Sequence, residues 1–191
     1  MQFSQYLCQS HQKGFTLIET IVGIVVLAIS FSVLTTLIYP ISQQSADQLH
    51  QVKAAELAQS LLNEIQNKAF DNNSDMAGGR VRCGEGADDC STDMGPETIS
   101  GIKETRATFN DVDDYNDLVY AAGEIENSQG VLLELYIGYS MNVNVCNDPS
   151  YSGSCTNDIS KTAISTAKLI TVTITTPTKF SLSFSTYRAN F

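Results

Sequence analysis

Apolar residues are concentrated near the start of the chain. Residues 15–41 read FTLIETIVGIVVLAISFSVLTTLIYPI, a run of 27 residues with a single charge at Glu19. A helix rises about 1.5 Å per residue, so this run reaches roughly 40 Å and exceeds a bilayer core of about 30 Å. No later segment is comparable. The pattern therefore predicts one membrane-spanning helix over residues 15–41.

The flank of this helix indicates its orientation. Residues 1–14 are polar, contain no acidic residue and place Lys13 beside the first apolar position. Cationic flanks favour the cytoplasm, so we expect everything after Ile41 on the opposite side of the membrane.

The apolar run has two ordinary interpretations, a secretory signal peptide and a plain membrane anchor. A secretory signal peptide has an apolar core of about 7–15 residues, whereas this run is longer and contains Glu19. A plain membrane anchor fits the length but does not explain Glu19. A carboxylate within a membrane is costly and normally has a cationic partner.

Helical periodicity continues in the polar residues 42–70. Apolar side chains recur there at steps of three or four, at Leu49, Val52, Ala55, Ala58, Leu62, Ile65 and Ala69. This stripe predicts an amphipathic helix that packs on a sheet. We expect it to continue the membrane helix, so that residues 15–70 form one element.

The remaining residues, 71–191, form a β-rich head. Strands are predicted over residues 131–145, 168–175 and 180–187, which are rich in β-branched and aromatic residues. Ile170, Val172 and Ile174 alternate with more polar positions, which indicates a half-buried strand. Residues 176–179 (TPTK) predict a turn between the last two strands. One long helix against an antiparallel sheet is an α+β fold.

The start of the apolar run has a distinctive motif. Residues 13–19, KGFTLIE, resemble the leader junction of type IV pilins, the class III signal. The resemblance implies that a prepilin peptidase removes residues 1–14 by cutting between Gly14 and Phe15, and that Phe15 is then N-methylated. It implies that Glu19 neutralises the terminal amine of a neighbouring subunit, which supplies the missing cation. The pilin architecture is likewise a long N-terminal helix on an antiparallel β-sheet head.

One position departs from the family pattern. Many pilins carry a helix-kinking proline at the position of Thr36, whereas this chain has Pro40, one turn later. Proline lacks an N–H and clashes with the preceding turn, so we expect a kink or local melting near Pro40.

Five cysteines are an odd number, and removal of the leader takes Cys8 away. The remaining four allow three pairings. We favour Cys83 with Cys90 and Cys146 with Cys155, because each pair encloses a short polar loop. A zinc site is the alternative, although gaps of six and eight residues fit common zinc sites poorly.

Acidic residues dominate the first half of the head. The chain has a net charge of −10, and residues 71–134 hold 15 acids against four bases. This charge argues against a nucleic-acid partner, which would require a basic face.

The densest acidic stretch contains Asp111, Asp113, Asp114 and Asp117. Such hard oxygen ligands suit Ca²⁺. The order of an EF-hand is absent, because Tyr115 stands where an oxygen ligand belongs. We therefore favour a solvated turn, in which the Asp side chains accept hydrogen bonds from local amides, over a calcium site.

No enzyme motif is present in the sequence, and His50 stands alone on the stalk, where we expect it to be solvated. The opening GFTLIETIVGIVVLAIS and the head loop containing VDDY resemble minor pilins of the mannose-sensitive haemagglutinin (MSHA) pilus. The implied partners are other pilins through the N-terminal helix, the prepilin peptidase and the inner-membrane assembly platform. The implied location is the bacterial inner membrane with a periplasmic head, and then the pilus. A type II secretion pseudopilin and a pilus-displayed adhesive subunit are the alternatives.

Overall fold

The computed structural model describes residues 14–75, 81–86 and 88–191, without the side chains of residues 39–43. The chain divides into two units, Met1–Ala46 and Asp47–Phe191. The boundary falls within the first helix, α1 (Leu17–Gln66).

In the first unit, the beginning of α1 is largely apolar on its surface. Its stretch Leu17–Ile38 is long and apolar enough to cross a membrane, by length and composition, and every side chain in it is exposed. The polar side chains of this stretch bond to the helix itself. The hydroxyls of Thr20, Ser30, Thr35 and Thr36 donate to carbonyl groups three or four residues back. Such internal bonding is what a helix surrounded by lipid requires.

Helix α1 passes Pro40 without a break, so the prediction of local melting there is wrong. Proline removes one hydrogen bond from a helix. Membrane helices tolerate this loss because neighbouring groups can bond the freed carbonyl. The kink at this position stays a prediction.

Helix α1 ends at Gln66 rather than at Phe70. The N–H groups of Asn67 and Lys68 donate to carbonyls only three residues back, which tightens the last turn. Ala69 then forms a parallel bridge with Asp111, so pairing with the head takes the chain out of the helix.

The buried face of α1 in the second unit is rotated from the predicted stripe. Ala58, Leu62 and Ile65 are buried as predicted, whereas Leu49 and Val52 are more than half exposed. The buried residues begin later along α1 than predicted and cover a wider face of the helix. They are Ala54, Leu57, Ala58, Leu61, Leu62 and Ile65.

This helix face packs on a four-stranded antiparallel sheet in the order β3-β4-β5-β6. The strands are β3 (Val119–Tyr120), β4 (Ser140–Asn147), β5 (Ala167–Thr175) and β6 (Ser181–Ala189). The core side of the sheet carries Met141, Val143, Val145, Ile170, Val172 and Ile174. On the opposite side, three Thr–Ser pairs link β5 to β6 through hydroxyl contacts of 2.8–3.0 Å. The architecture is α+β, as predicted.

Two of the three predicted strands are confirmed, as is the turn between them. The N–H of Lys179 donates to the carbonyl of Thr176, and the N–H of Thr176 to the carbonyl of Phe180. The predicted strand over residues 131–145 is wrong in its first half. That half contains a 3₁₀ helix, Glu134–Tyr136, and Gly138 at a φ of 86°. A residue with positive φ interrupts the extended backbone, so β4 begins only at Ser140.

Three smaller features complete the head. A hairpin joins β1 (Thr98–Ile99) to β2 (Ile102–Lys103), and a short helix, α2 (Lys161–Ile164), precedes β5. The disulfides Cys83–Cys90 and Cys146–Cys155 are both formed, which confirms the predicted pairing. The zinc alternative is therefore wrong, because all four sulfur atoms are bonded to each other in pairs. Cys8 lies outside the described residues.

Candidate functional site

The leader junction lies just before the first turn of α1. Gly14 and Phe15 precede the helix and are exposed, with Phe15 80% accessible. Glu19 lies in the first turn, where its N–H donates to Oγ1 of Thr16 at 3.3 Å. Its carboxylate has no partner among the residues that the structure describes. A carboxylate near a helix N-terminus is stabilised by the helix dipole and is free here to meet a cation from another molecule.

Lys168 of β5 lies at the centre of a buried ion pair in the head. Its ammonium is 2.6 Å from Oδ1 of Asp113 and 3.6 Å from Oδ2 of Asp71, and these side chains are at most 1% exposed. The ammonium also donates to the carbonyl of Phe70 at 2.6 Å. Burial raises the pKa of Asp113 to about 7, although the charge of Lys168 opposes the shift. Asp113 therefore belongs to this ion pair and not to the predicted calcium site.

The other predicted calcium ligands divide into two groups. Asp117 is exposed, and its carboxylate accepts a hydrogen bond from Nδ2 of Asn116. Asp111 and Asp114 are fully buried, which shows that the expectation of a solvated turn is wrong. The predicted bonds to local amides are present.

Reciprocal bonds to main-chain amides hold these two aspartates. Oδ2 of Asp114 accepts from the N–H groups of Asn110 and Asp111, and Oδ1 of Asp111 accepts from the N–H of Asp114. Each carboxylate therefore has one bonded and one unbonded oxygen.

Two glutamates from the β1–β2 hairpin meet Asp111 and Asp114. Glu97 and Glu104 face each other across the open end of the hairpin, where the N–H of Glu104 donates to the carbonyl of Glu97 at 2.9 Å. Carboxylate oxygens of Glu97, Asp111 and Asp114 lie within 4.8 Å of one another, and the carboxylate of Glu104 lies against those of Glu97 and Asp114. We call Glu97, Glu104, Asp111 and Asp114 the acidic cluster.

The surroundings of the acidic cluster oppose its full ionisation. Burial, followed by the neighbouring charge of Asp111 and a contact with Glu104, raises the pKa of Glu97 to about 8. Burial and the charge of Asp114 raise the pKa of Asp111 to about 6. These carboxylates resist ionisation because a second negative charge lies close by in a poorly solvated site.

Glu64 of α1 forms a further set of polar contacts with the head, through Arg106 and Tyr115. The guanidinium of Arg106 contacts both carboxylate oxygens of Glu64, at 2.6 and 2.7 Å. The hydroxyl of Tyr115 donates to Oε1 of Glu64 at 2.7 Å. Tyr115 is thus a core residue and stands where an EF-hand would need a ligand.

His50 also has a partner. Its Nδ1 atom lies 2.7 Å from the hydroxyl of Tyr139, and the half-buried side chain keeps part of its contact with solvent.

Three of the residues that sequence analysis missed had a recognisable signal. The alternation in β5 places Lys168 on the same face as Ile170, Val172 and Ile174. The residues 97–104, ETISGIKE, contain a Ser-Gly pair typical of a two-residue hairpin turn, and both turn residues have positive φ. That turn sets Glu97 opposite Glu104. No local pattern predicts the contact of Glu64 with Arg106.

Comparison with known families supports the leader junction. A family model described as the prokaryotic N-terminal methylation motif matches residues 9–35. No curated protein and no solved structure matches the chain. The matched region includes Gly14, Phe15 and Glu19.

The motif and the fold together define a structural subunit with an apolar N-terminal helix and a β-sheet head. In these features the chain resembles type IV pilin-like precursors, whose N-terminal methylation motif it carries over residues 9–35. Its motif implies processing by a prepilin peptidase and assembly with other pilins.

Proposed function

We propose that this protein is a minor pilin of a type IV pilus, similar to the D-type minor pilin of the MSHA pilus. The observation that carries the proposal is the methylation motif over residues 9–35, followed by an exposed apolar helix and a disulfide-bonded head. The MSHA assignment rests on the opening sequence and the VDDY loop.

The proposed role proceeds in three steps. Peptide-bond cleavage after Gly14 exposes the amine of Phe15, which is then methylated. The apolar helix holds the subunit in the inner membrane with its head in the periplasm, an oxidising compartment suited to both disulfides. The assembly platform then adds the subunit to the filament, where the carboxylate of Glu19 neutralises the terminal amine of a neighbouring pilin.

Intact mass of the purified membrane form tests the first step. We expect a chain that begins at Phe15 and carries one added methyl group. A Gly14→Val variant, in which a bulky side chain occupies the cleavage position, provides the unprocessed reference mass. A chain that still begins at Met1 in cells with an active peptidase would overturn the proposal.

Gene deletion separates the pilus role from the two alternatives. We expect loss or reduction of surface pili with normal release of secreted proteins. Normal pili with blocked release would instead identify a type II secretion pseudopilin. Normal pili that no longer attach would identify an adhesive subunit, for which the exposed loop closed by Cys146 and Cys155 is the first region to test.

A further inference from the structure

The acidic cluster brings together four carboxyl groups with too few hydrogen-bond donors around them. Five of its carboxylate oxygens are shielded from solvent and have no hydrogen-bond donor in the described part of the chain. They are both oxygens of Glu97, Oε2 of Glu104, Oδ2 of Asp111 and Oδ1 of Asp114. Buried carboxylate oxygens are normally bonded, and each unbonded one is costly.

Two neighbouring cations are engaged elsewhere, and Lys103 of β2 forms none of the ion pairs found in the described part of the chain. Lys168 pairs with Asp71 and Asp113, and Arg106 pairs with Glu64. None of the ion pairs found among residues 14–75, 81–86 and 88–191 involves a member of the acidic cluster. No cation is therefore in ion-pair contact with the cluster within that part of the protein, although the nearby positive charge of Lys168 acts on Asp111.

The local backbone holds the cluster in this arrangement. The hairpin turn sets Glu97 opposite Glu104, although like charges directly opposite in a β pair are destabilising. One carboxylate oxygen of Asp111 and one of Asp114 accept hydrogen bonds from main-chain N–H groups. The other oxygen of each aspartate has no hydrogen-bond partner among the described residues. Two independent segments thus present oxygen atoms to one another, and both aspartates are fully buried.

We propose that Glu97, Glu104, Asp111 and Asp114 form a Ca²⁺ site that links the β1–β2 hairpin to the loop before Tyr115. The ligands are all carboxylate oxygens, which suit a hard cation. Opposite ligands of Ca²⁺ lie about 4.6–5.2 Å apart, since each Ca–O distance is about 2.3–2.6 Å. One oxygen from each of Glu97, Asp111 and Asp114 lies within 4.8 Å of the others, close enough for a single Ca²⁺ to contact all three.

A site built mainly of protein carboxylates suits Ca²⁺ better than Mg²⁺, which is usually bound by only one or two carboxylates. That ion requires Mg–O distances of about 2.0–2.1 Å in a near-ideal octahedron and usually keeps several waters. Of the cluster, Glu97 also lines a cleft of about 600 Å³, together with Lys103 and Asn116 among others.

Calcium titration of the full mature chain in detergent tests the proposal. We expect equilibrium dialysis against ⁴⁵Ca²⁺ to give one bound ion per chain, with saturation below about 1 mM, the weak end of protein calcium sites. The melting temperature should rise with CaCl₂ and rise less with MgCl₂ at the same concentration. No bound calcium in the wild-type chain up to about 10 mM would overturn the proposal and would leave protons as the neutralising charge.

The variant Glu97→Gln should affect the melting temperature differently in the absence and in the presence of calcium. Without calcium, in EDTA, it should melt no lower than wild type, because it removes a carboxyl group whose ionisation the neighbouring carboxylates oppose. With calcium it should lose the rise in melting temperature and bind at least about tenfold more weakly. The exposed Glu124→Gln variant is the matched control and should respond like wild type. An equal calcium response in Glu97→Gln would contradict the site.

Discussion

At the scale of single residues, buried charges are the main polar links in the head. Lys168 contacts Asp71, which follows α1, and Asp113, which lies in a 3₁₀ helix, while its own backbone is part of β5. One ammonium thus joins three segments that are distant in sequence. A group with this many buried contacts is expected to be sensitive to substitution.

Lys168→Met should destabilise the head strongly. The substitution leaves two buried carboxylates without a cation, and breaking a buried pair typically costs about 3–5 kcal/mol. Lys161→Met is the matched control, because Lys161 pairs with Asp89 at the surface, where both side chains are more than half exposed. That change should cost no more than about 1 kcal/mol. Urea unfolding of both variants measures the difference, and equal costs would contradict the role of Lys168.

Glu64 should make stability depend on pH in the acid range. Burial alone raises its pKa, but hydrogen bonds from Arg106 and Tyr115 outweigh burial and lower the pKa below 4.5. A carboxylate with a lowered folded-state pKa stabilises the fold above its unfolded pKa, and that contribution is lost as pH falls through the folded value. Wild type should therefore exceed Glu64→Gln by about 2 kcal/mol at pH 7, and the gap should shrink below pH 4.5.

Unfolding free energies of the two proteins, measured from pH 7 to pH 3, check this prediction. The gap between wild type and the exposed Glu124→Gln variant should stay near zero throughout. A gap for Glu64→Gln that does not change with pH would show that the charge of Glu64 is not what stabilises the contact.

Sequence reasoning found half of the acidic cluster. Asp111 and Asp114 were identified because they are close in sequence and rich in oxygen ligands. The grouping with Asp113 and Asp117 was wrong, because the nearest cation, Lys168, lies more than 50 residues later in the chain. Such long-range pairing depends on the fold of the sheet and leaves no trace in local spacing.

At the scale of elements, local sequence patterns predicted a helix or strand most accurately where it packs against an element that is close to it in sequence. Strands β5 and β6 are joined by a turn of five residues, 176–180, so alternation and turn residues specify them together. The buried face of α1 depends instead on a sheet formed by residues 119–189, which is why Leu49 and Val52 were assigned to the wrong side. In residues 131–139, high β propensity was overridden by the positive φ of Gly138.

The two disulfides should contribute unequally to stability. Their loops span similar separations, 7 and 9 residues, so loop closure contributes about 2.5 kcal/mol in each case. Cys83 and Cys90 are also buried with Phe70 and Ile164, whereas Cys155 is exposed. Replacing Cys83 and Cys90 by Ala should cost about 1 kcal/mol or more beyond the same change at Cys146 and Cys155, because it also leaves a cavity.

Thermal unfolding of the two double variants, compared under non-reducing conditions, measures this difference. The wild-type protein with both bridges intact is the common reference. A larger loss from the Cys146 and Cys155 replacement would show that the exposed loop, rather than the buried cluster, depends on its bridge.

At the scale of the whole molecule, the two units have opposite surface chemistry. The stretch Leu17–Ile38 exposes apolar side chains along its length, while most of the acidic residues lie in the head. Removal of residues 1–14 leaves 21 acids and 10 bases, a net charge of −11. The first unit suits a lipid or a bundle of similar helices, and the second suits water. Glu19 is the exception, a charge placed where the surface is otherwise apolar.

That exception leads to a prediction about assembly. A carboxylate in an apolar environment costs several kcal/mol unless a cation pairs with it, and the free amine of a neighbouring mature pilin is such a cation. Glu19→Gln keeps the shape of the side chain but removes the charge, so the subunit should be cleaved, methylated and folded normally yet enter pili at least about tenfold less efficiently. Glu56→Gln, an exposed glutamate farther along α1, is the matched control and should assemble normally. Quantitative immunoblots of sheared pili and of membranes, from strains that express each variant, measure the ratio. Wild-type incorporation of Glu19→Gln would show that the carboxylate is not required for assembly and would leave its position in the apolar helix without a function.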